Sequence, residues 1–390
     1  MQAFDVGRVP PMTVGAGRLS ETGAIASALG VGPVLVVADA ILADLGVTGR
    51  LTASLQASGL GVEMAAEIAG EPKDAHVDRL AARARETGAG VVIGIGGGAA
   101  MDAAKLVAAV AVADQPARHY ALGANPFPAR TLPAIAIPTT AGTGSEVTRT
   151  SIVSTAEGFK YWYWGEELMF AHALLDPELT VSLPAHITAW TGIDAVAHAL
   201  EAVTSRKVNA VGRLYGLAAL ELLAVALPKA VADGADIEAR GKVLWGAATA
   251  GLALHNCNTH MGHNISHALG SLAPIHHGLA TGLALEVTLP ELTARPEGRE
   301  DYAVAAAALG GPGYARSLPE AFAALMRQIG IAPDLPEACA HVTPDALAAS
   351  MKAPANLGMA QNAACDLSGA DLDEFAAAMI ARLPELRATA

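Results

Sequence analysis

The fold can be read from one stretch, Val91-Val92-Ile93-Gly94-Ile95-Gly96-Gly97-Gly98-Ala99-Ala100-Met101-Asp102-Ala103-Ala104-Lys105. An apolar run of the length of a buried strand passes through three glycines into alanine-rich helical sequence. Glycines at such a junction let a ligand approach the backbone, and the helix start offers N–H groups and the positive end of the helix dipole. The stretch predicts a strand–turn–helix unit with an anion site, although a tight turn without a ligand has the same pattern.

Similar strand and helix signals alternate through the first half of the chain. Because strands that alternate with helices form parallel sheets, we predict an α/β domain of the Rossmann-like kind, with helices on both faces of its sheet. The other predicted strands are residues 12–17, 34–39, 62–68 and 134–137, and the predicted helices are residues 19–29, 41–56 and 76–86.

A second polar loop, residues 138–148, directly follows the strand at 134–137. Small hydroxyl residues and glycines at the carboxyl end of a parallel strand are typical of ligand-binding loops in open α/β sheets. The loop also reads as a capped helix start, with Thr143 or Ser145 as the cap. Both interpretations can hold together, and two such loops on one sheet favour nucleotide binding.

The pattern changes near Pro184, after which we predict helices only. They cover residues 210–227, 237–254, 302–309, 318–329 and 372–383. The predicted organisation is a dinucleotide-binding α/β domain at 1–183 and an all-helical, metal-binding catalytic domain at 184–390. We expect the active site in the cleft between them, because ligand sites favour such places.

One carboxylate and several imidazoles fall in apolar helical sequence of the second half. Asp194 and His198 lie one helical turn apart, as do His263 and His267, and His277 follows shortly afterwards. Buried carboxylates and imidazoles need partners, and a divalent ion such as Fe²⁺ or Zn²⁺ would supply one for all of them. The competing interpretation, capped or solvent-facing histidines, does not explain the apolar flanks.

Composition limits the classes of function. The chain has 390 residues, 52% of them hydrophobic and 16% charged, and its net charge of -13 disfavours nucleic-acid or acidic-membrane partners. Its three cysteines suggest no disulfide framework and suit a reducing cytoplasm. No secretory signal is visible, and we expect the apolar stretches to be interrupted before they could cross a bilayer. We therefore expect a cytoplasmic enzyme.

Four stretches give the chain a specific resemblance to a known family. The chain resembles the iron-containing (group III) alcohol dehydrogenases of the dehydroquinate synthase-like superfamily. The matching stretches are residues 96–105, 137–146, 176–180 continuing to 194–202, and 263–278, in the family's order and spacing.

The resemblance implies a site and a reaction. Asp194, His198, His263 and His277 would be the metal ligands, and His267 would assist proton transfer or substrate binding. Asp39 would meet the adenosine ribose, which favours NAD over NADP because an acid repels a 2′-phosphate. The other implied cofactor-binding residues are Gly96, Gly97, Gly98, Met101, Asp102, Thr139, Thr140, Thr143, Ser145 and Lys160.

The implied enzyme transfers a hydride between NAD(H) and an alcohol–aldehyde or alcohol–ketone pair, as a homodimer or higher homo-oligomer with Fe²⁺. The ligand set accepts Zn²⁺ equally, so iron rests on the resemblance. Alternatives are a zinc glycerol-type dehydrogenase, a metal-free maleylacetate reductase and a hydroxyacid–oxoacid transhydrogenase that retains NAD. A dehydroquinate synthase-like lyase and a purely structural protomer are further alternatives, although the lyase would need a basic cluster and the structural role a lost ligand.

Departures from the family pattern fall mostly around the substrate. Ala99-Ala100 replaces the usual Ser-Pro, and residues 362–364 replace an Asn-Pro-Arg segment. His255 and His260 either face the cleft or stand at the surface or behind the ligands. The aromatic run at 159–164 either lines the pocket or packs a subunit interface, where aromatic residues are enriched. The substrate therefore stays open.

Overall fold

A computed structural model describes residues 3–155 and 158–384. The chain divides into two compact units. One is Arg8–Ser182, and the other combines the described residues of Met1–Gly7 and of Leu183–Ala390. The sequence pattern gave no sign that the first residues join the second unit.

The first unit is built on a six-stranded parallel sheet in the order β1-β8-β5-β4-β2-β3. The apolar run at 91–95 is its strand β4, and β2 and β5 flank it, so the carboxyl ends of these three strands lie side by side. The strands are β1 (Met12–Val14), β2 (Val34–Asp39), β3 (Val62–Ile68), β4 (Val91–Gly96), β5 (Ala134–Pro138) and β8 (His172–Leu175).

Helices cover both faces of this sheet, as predicted. Alternate residues of β2 enter different cores: Leu35 and Val37 pack with one set of buried residues, and Val34 and Val36 with another. The predicted helix at 41–56 is interrupted, because Gly46 adopts a positive φ of 72° between two shorter helices. The helices are α1 (Thr22–Leu29), α2 (Ile41–Asp44), α3 (Val47–Ala57), α4 (Asp74–Thr87) and α5 (Gly98–Val110).

A two-stranded antiparallel sheet was not predicted. Its strands are β6 (Thr150–Ser154) and β7 (Lys160–Trp164), and β7 contains the aromatic run. Tyr163 is fully buried, whereas Trp162 and Trp164 are exposed. The aromatic residues thus alternate between a buried and a solvent-facing side of the strand.

The second unit is helical, and the helices predicted at 210–227, 237–254, 302–309, 318–329 and 372–383 are present with shifted ends. Three further helices, at 277–294, 344–351 and 354–360, were not predicted. Asn209 caps α7 by accepting hydrogen bonds from the backbone N–H groups of Val211 and Gly212. The helices are α6 (Ala185–Val203), α7 (Ala210–Ala232), α8 (Ile237–Cys257), α9 (Met261–Gly270), α10 (His277–Ala294), α11 (Arg299–Ala308), α12 (Leu318–Gln328), α13 (Pro344–Met351), α14 (Pro354–Ala360) and α15 (Gly369–Ile380).

The expectation that every apolar stretch is interrupted was wrong for α7. Among the described residues this 23-residue helix is long and apolar enough, by length and composition, to cross a membrane. Glu221 and Pro228 lie within it without ending it. In the structure α7 packs against α6 and α8 and buries Leu220 and Leu223, whereas Leu214 and Val225 of the same helix are exposed.

Candidate functional site

Three helices of the second unit bring the predicted ligand residues together. Asp194 and His198 lie one turn apart on α6, His263 lies in the first turn of α9, and His277 is the first residue of α10. The start of α10 approaches α6 closely, because a Cβ at Gly278 would lie 2.0 Å from the carbonyl oxygen of Trp190. Glycine at 278 therefore allows His277 to reach Asp194.

The donor atoms have the separations of a metal site. One donor atom each of Asp194, His263 and His277 lies within 4.8 Å of the other two. Asp194 Oδ1 is 3.5 Å from His277 Nε2 and 3.8 Å from His263 Nε2. Atoms that share a first-row ion at about 2.1 Å are separated by about 3–4 Å. These three residues therefore lie close enough together to share one ion.

His198 and His267 lie beside these three residues. The rings of His198 and His263 have centroids 4.5 Å apart, and His198 Nδ1 is 4.0 Å from Asp194 Oδ2. The ring of His267 meets that of His277 edge-on at 5.1 Å. All five predicted residues thus belong to one cluster, with His267 half-buried at its margin.

The chemistry of the cluster fits a divalent cation. Asp194 Oδ1 and His263 Nε2 are buried without a hydrogen-bond partner among the described residues, which would be costly unless another group bound there. Burial, with the neighbouring His198 as a second cause, lowers the pKa of His263 to about 3. The neutral imidazole that results is the form that ligates metals.

Sequence reasoning did not single out Glu201, which lies behind His263. Glu201, fully buried on α6, accepts hydrogen bonds from the backbone N–H of Gly262 and from His263 Nδ1, both at 2.5 Å. His260, also fully buried, lies between Glu201 and Thr204, with its Nε2 2.9 Å from Thr204 Oγ1. A carboxylate seven residues after Asp194, on the same face of an apolar helix, was the available signal.

His255 and His260 therefore have different environments. His260 stands behind His263, a predicted ligand, which is one of the two interpretations that its position allowed. His255 lies against the first residues of the chain, since a Cβ at Gly7 would meet its ring at 1.9 Å. The neighbouring Asn256 accepts a hydrogen bond from the Gly7 N–H.

In the first unit, the carboxyl ends of β2, β4 and β5 form the second cluster. Asp39 Oδ2 accepts a hydrogen bond of 2.7 Å from the backbone N–H of Gly97, and Gly97 is the residue at the N-cap position of α5. A Cβ at Gly98 would lie 2.7 Å from the methyl group of Thr143, and a Cβ at Gly97 would lie 3.5 Å from the hydroxyl of Thr140. The two predicted loops thus meet over the N-terminus of α5. A side chain in place of Gly98 would fill the space between them.

Beneath this cradle lies a buried group of charges. Asp102 accepts hydrogen bonds from the hydroxyl of Ser145 at 2.5 Å and from the backbone N–H of Ile152 at 2.8 Å. Lys105 Nζ lies 3.8 Å from Asp102 and donates to the carbonyl of Thr150 at 2.6 Å. Burial lowers the pKa of Lys105 to about 8 and raises that of Asp102. Asp102 and Ser145 therefore join α5 to the loop and to β6 from below.

Three other predicted cofactor residues have distinct positions. The side chain of Met101 is packed in a hydrophobic core, and Thr139 is buried, with its N–H donating to the carbonyl of Gly96 at 2.9 Å. Lys160 lies on β7 and forms an ion pair with Glu71. The part of the first unit that combines an open glycine turn with polar side chains is the cradle of Asp39, Gly96–Gly98, Thr140 and Thr143.

Comparison with known proteins identifies the family of this chain. The model of iron-containing alcohol dehydrogenases matches residues 10–177, and the model of the C-terminal part of that family matches residues 188–365. Long-chain-alcohol dehydrogenase 1 of Geobacillus thermodenitrificans is 37% identical over 279 residues, covering 71% of this chain and 70% of that protein.

Two further relatives differ in what their names say they act on. The NAD-dependent methanol dehydrogenase of Bacillus methanolicus is 32% identical and covers 70% of this chain and 72% of that protein. The crystal structure of sulfoacetaldehyde reductase from Bifidobacterium kashiwanohense in complex with NAD⁺ aligns with a TM-score of 0.88. It is 28% identical and covers 97% of this chain and 99% of that one. With both family models matched in order, the chain belongs to the iron-containing alcohol dehydrogenase family and is an oxidoreductase.

Proposed function

We propose that this enzyme interconverts an alcohol and its aldehyde or ketone with NAD(H), using a divalent ion, Fe²⁺ by family, held by Asp194, His198, His263 and His277. The observation that carries the proposal is a buried oxygen of Asp194 that lies 3.8 Å from a buried nitrogen of His263, neither atom having a hydrogen-bond partner among the described residues. When bound, the ion would act as a Lewis acid that stabilises the alkoxide form of the alcohol.

The chain's own residues have complementary roles in this proposal. The glycine turn at 96–98 binds the pyrophosphate of NAD with backbone N–H groups at the start of α5. Asp39 receives the adenosine ribose and disfavours a 2′-phosphate, while it also holds Gly97. His267, at the margin of the ligand cluster, takes up or delivers the alcohol proton, since an imidazole changes protonation near neutral pH.

Location and assembly are further parts of the proposal. The three cysteines are free and buried, which suits a reducing compartment and supports a cytoplasmic enzyme. The exposed Trp162 and Trp164 of β7 support a homodimer, because exposed aromatic residues are typical of interfaces. The transhydrogenase and lyase alternatives are not favoured, since the relatives named above are alcohol dehydrogenases and an aldehyde reductase.

The test is NADH formation from a panel of alcohols and diols by chelator-stripped enzyme reloaded separately with Fe²⁺ or Zn²⁺. Activity should depend on the ion and should disappear in Asp194→Ala and His263→Ala. His341→Ala is the matched control, because His341 is an exposed histidine of the same unit, with its Nε2 2.9 Å from the carbonyl oxygen of Leu272. Turnover without any metal, or full activity of His263→Ala, would contradict the proposal, as would the absence of turnover on every alcohol and aldehyde.

A further inference from the structure

Glu201 is a buried carboxylate that the proposed reaction does not use directly. Its side chain is 0% exposed, and it lies one further turn along the face of α6 that carries Asp194 and His198. A carboxyl group in such a place needs a reason, because burial of an acid without compensation is strongly unfavourable. Its partners supply that reason.

Each oxygen of Glu201 has its own donor. Oε1 accepts from the backbone N–H of Gly262, and Oε2 is 2.5 Å from His263 Nδ1. The close approach needs glycine at 262, since a Cβ there would lie 2.9 Å from Leu285 and 3.1 Å from Oε1. The first turn of α9 therefore contacts the carboxylate through both its backbone and a side chain.

This arrangement determines which nitrogen of His263 carries the proton. An ionised carboxylate only accepts hydrogen bonds, so Nδ1 must be the protonated nitrogen of the neutral ring. The lone pair is then on Nε2, the atom that lies 3.8 Å from Asp194 Oδ1 without a hydrogen-bond partner among the described residues. The opposite tautomer would direct an N–H at the position where an ion binds.

We propose that Glu201 is a positioning residue for the metal site: it fixes His263 as the Nδ1–H tautomer and aims Nε2 at the ion. The proposal rests on the metal site of the proposed function. Its first consequence, the tautomer of His263, is nevertheless a property of the protein without metal.

His260 and Thr204 support the carboxylate from behind. His260 Nδ1 is 3.3 Å from Glu201 Oε1. The Nε2 atom of the same ring is 2.9 Å from the hydroxyl of Thr204, which is also buried. The carboxylate therefore contacts polar groups on both sides and has little freedom to turn away from His263. Such outer partners of a ligating histidine orient the ring and raise its basicity.

The informative substitution is Glu201→Gln, which preserves shape but offers only one accepting oxygen. If that oxygen accepts from Gly262, the amide NH₂ faces His263 Nδ1 and favours the wrong tautomer. If it accepts from His263, two N–H donors face each other at Gly262. We expect Co²⁺ affinity, measured by competition with a chromogenic chelator, to fall about 10–100-fold. Glu201→Asp keeps the charge but has a shorter side chain, so its Co²⁺ affinity should lie between those of Glu201→Gln and the wild type.

A second readout separates this proposal from the proposed function. In the metal-free protein labelled with ¹⁵N-histidine, wild-type His263 should show the Nδ1–H tautomer, and Glu201→Gln should shift it toward Nε2–H. The structural control is Arg240→Gln, which removes buried hydrogen bonds to Thr188 and Leu183 in the same unit. It should lower thermal stability without weakening Co²⁺ binding by the folded protein.

The outcomes are distinct. Unchanged tautomer and unchanged Co²⁺ affinity in Glu201→Gln would overturn the proposal, as would an affinity loss that Arg240→Gln reproduces at equal loss of stability. If Glu201→Gln does not fold, the Co²⁺ affinity of Glu201→Asp decides: a loss of affinity that Arg240→Gln does not show supports the proposal, and an unchanged affinity overturns it. If the wild-type enzyme forms no NADH from any alcohol, the proposed function is refuted. The tautomer of His263 then still tests the role of Glu201.

Discussion

Lys105→Met should destabilise the α/β unit by about 3 kcal/mol, because it leaves Asp102 buried without its cation. The lysine side chain is fully buried, and its Nζ donates to the carbonyl of Thr150 at 2.6 Å. Methionine keeps the apolar stem, so the loss reports the charge and its hydrogen bonds. Breaking a buried ion pair costs about 3–5 kcal/mol, and we take the lower end since the 3.8 Å to Asp102 exceeds a hydrogen bond.

The matched partner variant is Asp102→Asn, whose amide can still accept from Ile152 and donate to Ser145. The double variant Lys105→Met/Asp102→Asn lacks both charges. Its free energy of unfolding should therefore be about 1–2 kcal/mol higher than the value expected if the two single losses added up. Guanidinium unfolding gives the free energies, and hydrogen exchange of peptides from α5 and β6 assigns the loss to this unit.

The pH dependence gives an internal check on Lys105→Met. Burial raises the pKa of Asp102 and Lys105 opposes that rise, so removing the lysine raises this pKa further. A raised folded-state pKa contributes stability that is present at low pH and lost as the pH rises through it. The variant's loss of stability should therefore become smaller as the pH falls through the raised pKa of Asp102. A loss under about 1 kcal/mol, additive in the double variant and independent of pH, would refute the reasoning.

Three other variants test separate features. Burial raises the pKa of Glu146 from 4.5 to about 7, so its stabilising proton uptake is present below pH 4.5 and lost as the pH rises through 7. Unfolding titrations of Glu146→Gln should lack that decline of about 3 kcal/mol, whereas an unchanged decline would contradict the assignment. Gly278→Ala, whose Cβ would strike the Trp190 carbonyl, should lower both Tm and metal affinity, whereas Gly358→Ala, which meets nothing within 4 Å, should do neither. Asn209→Ala should cost about 1 kcal/mol in denaturant unfolding by uncapping α7, and an equal stability of both proteins would refute the cap.

Much of the fold was predictable because its signals are local. The apolar runs of β2, β4 and β5 and the periodic helices of the second half carry their own periodicity. The hairpin β6–β7 was missed since its aromatic strand shows no apolar–polar alternation in sequence, although Tyr163 and Trp164 face opposite environments. Likewise the break at Gly46 depends on one left-handed residue inside otherwise helical sequence.

The site was predictable where residues have the spacing of a helix turn. The four-residue spacing of Asp194 and His198 on α6 is visible in the sequence, whereas no such spacing marks the groups that support the two clusters. Glu201 meets His263 across 62 residues of sequence, and Lys105 meets Thr150 across 45. Such pairs are set by tertiary packing, and in sequence a buried Glu or Lys looks like one more polar residue of an exposed helix face.

The association of Gly7 with α8 has a consequence for synthesis and for tagging. The hydrogen bond from its N–H to Asn256 joins residues 249 positions apart, so a ribosome completes the whole α/β unit before the docking helix exists. Gly7 therefore cannot form this contact until Asn256 has been synthesised. A bulky fusion placed next to this segment should therefore slow the folding of the helical unit, while the α/β unit folds at its usual rate.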